Sequence, residues 1–200
     1  MLSIIICTYN SEKRLSLVLD SINNSLKHIT NINEIELIII DNNSNDDTNN
    51  VATNFNIICK KFVYKEETQG LMYARKKGVK MSSNNWILFL DDDNIISPNF
   101  LKELLCFLDT SNTKIVVNPR IFPVNYKDEN WNDHEKILLE IALNHLACNS
   151  MDLNQKIDKI NFNKFVGAGL LVNKNLIDIF FKKDFTFTGR IGTNLSSGDD

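Results

Sequence analysis

The chain has 200 residues, of which 43% are hydrophobic, so it is long enough to bury the core of one large α/β domain. Its formal net charge of −3 gives no support to the broad basic surface that binds nucleic acid. The four cysteines form no C-x-x-C pair, which argues against a zinc site or a disulfide framework and favours a reducing cytosol. No segment approaches the ~18 consecutive apolar residues that cross a bilayer. We therefore expect a cytoplasmic protein, which can still dock peripherally on the inner face of the plasma membrane.

Apolar runs alternate with helical patterns over the first 118 residues. In chain order we predict a strand over residues 2–7, a helix capped by Asn10 or Ser11 with Leu15, Val18, Leu19, Ile22 and Leu26 on its apolar face, and strands over 36–40 and 57–64. A helix over 71–81, a strand over 86–90, a helix that begins at Ser97-Pro98 and a strand over 115–117 follow. This alternation predicts an α/β fold with a doubly wound, mostly parallel sheet and helices on both of its faces.

The regular alternation lapses over residues 119–161, which hold one amphipathic helix at about 135–146. A strand over 165–172 follows, with two glycines where a backbone or a ligand can approach closely. Residues 188–200 are typical of a loop. We find no internal repeat and no linker that would separate two domains, so we expect a single domain over residues 1–200.

Three predicted strands end in polar clusters: Thr8-Tyr9-Asn10, residues 41–47, and residues 91–94. Ligands gather at the carboxyl ends of the strands in an open parallel sheet, so these clusters are expected to form one site. Each cluster alone is a weak signal, because loops after strands are polar in any case.

The acidic cluster Asp91-Asp92-Asp93 gives the strongest signal. Three adjacent carboxylates repel one another unless a cation or hydrogen-bond donors compensate their charge. A hard divalent ion, Mg²⁺ or Mn²⁺, takes oxygen ligands and can bridge a diphosphate. The alternative is a solvated acidic turn between a strand and a helix.

The sequence resembles the family 2 glycosyltransferases, which have the GT-A fold. The resemblance rests on SIIICTYN at 3–10, IIIDNNS at 38–44, Gln69-Gly70 with Ala74-Arg75 and Gly78, LDDDN at 90–94, and GDD at 198–200. Each segment is degenerate, but their order and spacing are specific and span essentially the whole chain. The resemblance implies a nucleotide-binding half over about 1–118 and an acceptor-side half over about 119–200 that is cut short at its C-terminus.

The resemblance also implies nucleotide-binding residues. Thr8, Tyr9 and Asn10 match positions that border the base. Asp41-Asn42 matches an acidic pair whose second residue usually meets the imide edge of the base. Because that residue is an amide here, uridine and thymidine both remain open.

A second group matches the phosphate and metal positions. Arg75 suits phosphate or base edges because its donors form a fixed fork, and Gly70 allows a tight turn before its helix. Lys76, Lys77 and Lys80 are expected to form a solvated helix face. Family pattern assigns Asp93 to direct metal binding, with Asp91 and Asp92 nearer to the metal shell and the ribose.

Asp199 or Asp200 matches the late acidic motif that supplies the general base, and we favour Asp200. The implied reaction transfers a sugar from a UDP- or dTDP-sugar to a glycan or lipid-linked acceptor with inversion. One alternative is a truncated nucleotide-sugar-binding module without turnover. The other is a sugar-phosphate nucleotidyltransferase, which should carry a Gly- and Arg-containing loop after its first strand, and residues 7–11 contain neither.

Overall fold

The computed structural model describes residues 1–110 and 169–177, and the observations below concern this part of the chain. Its elements are β1 (Leu2–Thr8), α1 (Leu15–Leu26), a 3₁₀ turn (Ile32–Glu34), β2 (Ile35–Asp41), α2 (Thr48–Asn54), β3 (Lys60–Lys65), α3 (Leu71–Met81), β4 (Trp86–Asp91), α4 (Phe100–Thr110) and β5 (Leu170–Asn173). The strands form one sheet in the order β3-β2-β1-β4-β5.

The sheet is mostly parallel. β1 pairs in parallel with β2 and β4, β2 pairs in parallel with β3, and β5 runs antiparallel to β4 at one edge. The central strands are continuous apolar runs because helices cover both of their faces, as in other parallel sheets. This architecture confirms the predicted fold class.

Alternating side chains of β1 divide the core into two layers. Ile4 and Ile6 pack in the cluster that contains the buried faces of α1 and α4, whereas Ile5 packs in the cluster under α3. The α3 helix lies very close to β1, because a Cβ atom built on Gly78 would come within 2.5 Å of Ile5 Cγ2. This close packing fixes α3, and with it Arg75, against the sheet.

The predicted helix starts differ from the structure. The α1 helix begins at Leu15, and its N-cap residue is Arg14 without a side-chain cap hydrogen bond, so the predicted capping by Asn10 or Ser11 is wrong. The Ser11 hydroxyl bonds Asp92 instead, and only the Ser11 carbonyl accepts the amides of Arg14 and Leu15. The Ser11 hydroxyl donates its hydrogen to the charged Asp92 carboxylate, and its oxygen accepts from the Arg14 guanidinium, so both of its bonds are made to charged side chains and not to the amides of the first helical turn.

Other boundaries shift by a few residues. The α4 helix begins at Phe100, whose amide bonds the carbonyl of Ser97, so Ser97-Pro98 forms the turn before the helix and not its cap and first turn. β3 begins at Lys60 and not at 57. β5 covers Leu170–Asn173, so it ends one residue after the strand predicted over 165–172, of which residues 165–168 lie outside the described part of the chain. The elements predicted over 115–117, 135–146 and 188–200 lie outside the described residues.

Cys7, Cys59 and Cys106 are free cysteines. Burial raises the pKa of Cys7 to about 12 and the pKa of Cys59 to about 11, so both thiols stay protonated at neutral pH and pack as small apolar groups. Within the described ranges, no helix has both the length and the apolar character needed to pass through a bilayer.

Candidate functional site

The carboxyl ends of β1, β2 and β4 lie side by side. In the strand register Thr8 is opposite Asp41, and Cys7 is opposite Asp91, so the loops that follow these strands emerge at one edge of the sheet. The segment after β3 joins the same edge, because the Glu66 amide donates to the Asp41 carbonyl at 2.8 Å. The predicted polar clusters therefore do converge.

The Asp92 carboxylate faces the protein. Its Oδ2 atom accepts hydrogen bonds from Thr8 Oγ1 at 2.9 Å, from the Tyr9 amide at 3.4 Å and from the Ser11 hydroxyl. The Arg14 guanidinium lies 3.9 Å from the other carboxylate oxygen and donates to Ser11 Oγ at 2.9 Å. Asp92, the middle residue of the acidic triplet, thus ties the β4 loop to the start of the β1 loop.

Asp91 lies beside Arg75. One Arg75 nitrogen is 3.6 Å from Asp91 Oδ1, and the guanidinium carbon lies 5.7 Å from the centre of the Phe89 ring. The Arg75 side chain is 13% exposed, so the sheet and α3 hold its charge in a mostly buried position. The adjoining turn is fixed by Asn94, whose Oδ1 accepts the Asp91 amide at 2.9 Å and whose own amide bonds the Asp91 carbonyl.

Asp93 is the exposed member of the triplet, and its Oδ1 atom accepts from Asn94 Nδ2 at 3.2 Å. The protein's own donors and arginines offset the charges of Asp91 and Asp92, so mutual repulsion is no longer an argument for a cation. Among residues 1–110 and 169–177, no three His, Cys, Asp or Glu side chains cluster as a metal cage. An exposed carboxylate still fits Mg²⁺ or Mn²⁺, because such ions are often held by one or two carboxylates together with substrate phosphates.

The β1 and β2 loops are bonded to each other through Asn10. Its Oδ1 atom accepts the Asn45 amide at 2.9 Å, and its own amide donates to Ser44 Oγ at 3.1 Å. Asn10 has a φ of 49°, a left-handed conformation that asparagine tolerates better than most residues. Asp41 is buried and caps its own loop by accepting the Ser44 amide at 3.0 Å and Asn49 Nδ2 at 3.2 Å.

Asn42 is buried against the segment that follows β3. Its Nδ2 atom donates to the carbonyls of Thr68 at 2.8 Å and Glu66 at 3.3 Å, and its Oδ1 atom accepts the Gly70 amide at 2.7 Å. Gly70 is the N-cap residue of α3, with a φ of 138° that favours glycine. Asn42 and Gly70, both predicted as nucleotide-binding, are thus bonded to each other.

Lys77 departs from the predicted solvated face. Its ammonium group donates to the Lys65 carbonyl and lies 3.6 Å from a Glu66 carboxylate oxygen, so it holds the segment after β3. Lys76 and Lys80 are exposed, as expected. The sequence could not separate these three lysines, because the partners of Lys77 lie at least eleven positions away.

The structure brings together ten of the predicted site residues, namely Thr8, Tyr9, Asn10, Asp41, Asn42, Gly70, Arg75, Asp91, Asp92 and Asp93. Asp199 and Asp200 lie outside the described residues. Sequence reasoning missed Ser11 as a partner of Asp92, and it missed Arg14. Their only sequence signal was their position between β1 and α1, and residues at such a position can equally serve only to begin the helix.

The described residues form a five-stranded, mostly parallel sheet with helices on both faces, which places the chain in the α/β class. Solved structures agree on the fold. A Staphylococcus aureus TarS structure, TarS 1–349 in complex with UDP-GlcNAc, matches with a TM-score of 0.65 and 20% identity over 90% of this chain and 47% of that chain. Glucosyl-3-phosphoglycerate synthase from Mycobacterium tuberculosis, in a complex that includes Mn²⁺ and UDP, matches with a TM-score of 0.53 and 19% identity over 88% of this chain and 57% of that chain.

The chain belongs to the family described as Glycosyl transferase family 2, which matches residues 3–175. Putative glycosyltransferase EpsH of Bacillus subtilis is 29% identical over 104 residues, which are 52% of this chain and 29% of that protein. Poly(ribitol-phosphate) beta-N-acetylglucosaminyltransferase TarP of S. aureus is 28% identical over 117 residues, or 58% of this chain and 35% of that protein. The match therefore spans about a third of the length of each of these two relatives.

Proposed function

We propose that this chain carries the donor site of a glycosyltransferase that moves a sugar from a UDP- or dTDP-sugar to an acceptor hydroxyl with inversion. The proposal rests on two contacts in a member of family 2. Asp92 bonds Thr8 at the end of β1, and Asp91, the last residue of β4, lies beside Arg75 on α3. This edge of the sheet brings carboxylates and a guanidinium into one cluster, which suits a nucleoside diphosphate and its counter-ion.

The exposure and orientation of three side chains at this edge suggest which groups of the donor each one would contact. Tyr9 is 38% exposed at the edge and has a ring that can lie against the base. Arg75 is oriented by Phe89 and Asp91, so its guanidinium is held at this edge of the sheet, and its planar charge suits a phosphate. Asp93 presents its carboxylate to solvent and is the proposed ligand for Mg²⁺ or Mn²⁺, with Asp91 as its neighbour.

When bound, the metal ion would neutralise charge on the diphosphate leaving group. The protein's own part is to hold the donor and to accept a proton. We propose that the Asp200 carboxylate, or Asp199 in its place, accepts the proton of the acceptor hydroxyl as that oxygen attacks the anomeric carbon. A single displacement from the face opposite the leaving group inverts the anomeric configuration.

We also propose a glycan or lipid-linked acceptor and a cytoplasmic location, with docking at the inner face of the plasma membrane. The printed name of TarP, poly(ribitol-phosphate) beta-N-acetylglucosaminyltransferase, supports a glycan-type acceptor, and the cysteine pattern of this chain supports a reducing compartment. Vesicle co-sedimentation of the full chain tests the docking.

The donor test is a calorimetric titration of UDP, dTDP and ADP into the full chain, with and without Mn²⁺. We expect UDP or dTDP to bind at least about tenfold more tightly with the metal, and ADP to bind weakly. Equal affinity for all three nucleotides, or binding that ignores the metal, would overturn the donor assignment. Specific binding without transfer to any offered acceptor would favour the donor-binding module.

The proposed base is tested by comparing Asp200→Asn with Asp199→Asn. The base variant should keep donor affinity while its kcat falls by ~10²–10⁴-fold, the range usual for general base catalysis. Loss of turnover in Asp199→Asn alone would move the base to that residue. Full activity in both variants would refute the role of this motif.

A further inference from the structure

The Asn42 side chain has its hydrogen-bonding groups directed at one short stretch of backbone. A primary amide offers two N–H donors and one carbonyl acceptor. Both donors are used by the carbonyls of Glu66 and Thr68, and the carbonyl is used by the Gly70 amide. With Asn42 only 4% exposed, these three bonds fix the amide's orientation.

We propose that Asn42 is a positioning residue, which latches residues 66–70 to the end of β2 and thereby sets the start of α3 and the place of Arg75. This inference rests on the proposed function, because it assigns to Asn42 an indirect role in donor binding in place of a contact with the base. The latch is short and direct. Gly70 accepts the amides of Tyr73 and Ala74, which are in the first turn of α3, and Arg75 follows one residue later.

The same geometry makes an amide necessary at this position. A carboxylate could still accept the Gly70 amide, but it has no hydrogen to donate to the carbonyls of Glu66 and Thr68. It would place its negative charge against two carbonyl oxygens in a buried site, and that arrangement is costly. Asn42→Asp should therefore weaken donor binding, whereas a base-reading role predicts that an aspartate serves equally well or better.

The test compares Asn42→Asp and Asn42→Ala with Asn54→Asp, an exposed site at the end of α2 that controls for the added negative charge. Affinities for UDP, dTDP and CDP are measured with Mn²⁺. Both Asn42 variants should lose affinity for all three nucleotides by a similar factor of about three to ten, the loss expected from one or two hydrogen bonds. Asn54→Asp should change affinity by less than about twofold. A changed preference among the bases, or tighter UDP binding by Asn42→Asp, would overturn the latch.

Two further measurements separate positioning from general destabilisation. Amide hydrogen exchange at Gly70 should speed up in Asn42→Ala, because that amide loses its acceptor, and unchanged exchange would refute the latch even if no nucleotide binds. Absence of nucleotide binding by the wild-type chain would refute the proposed function separately. The double variant Asn42→Ala, Arg75→Ala should bind nucleotide no more weakly than Arg75→Ala alone, since Asn42 acts through Arg75. Additive losses would contradict that pathway.

Discussion

Thr8 and Asp92, which are 84 positions apart, are joined by a hydrogen bond of 2.9 Å from Thr8 Oγ1 to the Asp92 carboxylate. The bond connects the last residue of β1 to the middle of the acidic triplet after β4. The three adjacent carboxylates therefore have different surroundings. Asp92 bonds the protein, Asp91 lies beside Arg75, and Asp93 is exposed to solvent. The acidic loop is therefore held in place before any ligand arrives.

Asp92→Ala should lower the free energy of unfolding by about 1.5–3 kcal/mol, the usual worth of hydrogen bonds to a charged group. The variant leaves the hydroxyls of Thr8 and Ser11 without their acceptor and Arg14 without its nearby charge. Urea denaturation measures the loss, and Ser11→Ala, which removes one donor of the set, should cost less. Wild-type stability in Asp92→Ala would show that these bonds contribute nothing net.

Asp93→Ala should abolish the metal-dependent part of nucleotide binding while the fold stays intact. The reason is that the Asp93 carboxylate is exposed and the charges of its two neighbours are already offset by protein groups. Calorimetry with UDP and dTDP, with and without Mn²⁺, measures the effect. The exposed Asp20 on α1 supplies a matched control, since Asp20→Ala removes the same charge away from this edge. Metal-dependent binding as tight as wild type in the Asp93 variant would place the metal elsewhere.

Much of the fold could be read from the sequence, because continuous apolar runs and helical spacing report burial directly. The bounds of α3 were predicted to the residue, and β1, β2 and β4 to within one residue at each end. The antiparallel pairing of β5 could not be read, since a short apolar run carries no information on its direction. Helix starts failed where a side chain such as Ser11 had a stronger distant partner.

The convergence of the polar clusters could be predicted from the sequence, but the contacts of each side chain could not. The strand ends lie at one edge of the sheet because the parallel topology brings them together. Which side chains face the loop interior could not be read, since Asn42 bonds to residues at 66, 68 and 70 and Asp92 bonds to Thr8 and Ser11. A polar residue that holds a loop and one that contacts a ligand can be of the same residue type, so the sequence does not tell the two roles apart. Only the distant partner distinguishes them.

Arg75→Ala should weaken UDP or dTDP binding by roughly ten- to a hundredfold, whereas Lys76→Ala should change it by less than about twofold. Arg75 is mostly buried beside Asp91, and Lys76 is exposed on the next position of the same helix. Lys77 is unsuitable as the control because it contacts the segment that carries Gly70. Calorimetric affinities decide the question. Equal losses from Arg75→Ala and Lys76→Ala would indicate diffuse electrostatics in place of a specific contact.

Glu66 should make the fold sensitive to acid. The Thr68 amide donates to its carboxylate at 2.9 Å and, together with the Lys77 ammonium at 3.6 Å, holds the pKa of Glu66 below its usual value of 4.5. A depressed folded-state pKa adds stability above pH 4.5, and this stability is lost as the pH falls through the lowered pKa.

Glu66→Gln keeps an acceptor but has no charge to titrate, so the difference in unfolding free energy between wild type and variant should be largest near neutral pH and should narrow in acid. Urea denaturation at about pH 7 and about pH 3 measures the gap, with the exposed neighbour Glu67→Gln as the control. A gap that stays constant with pH, or an equal narrowing for Glu67→Gln, would contradict the role assigned to these contacts.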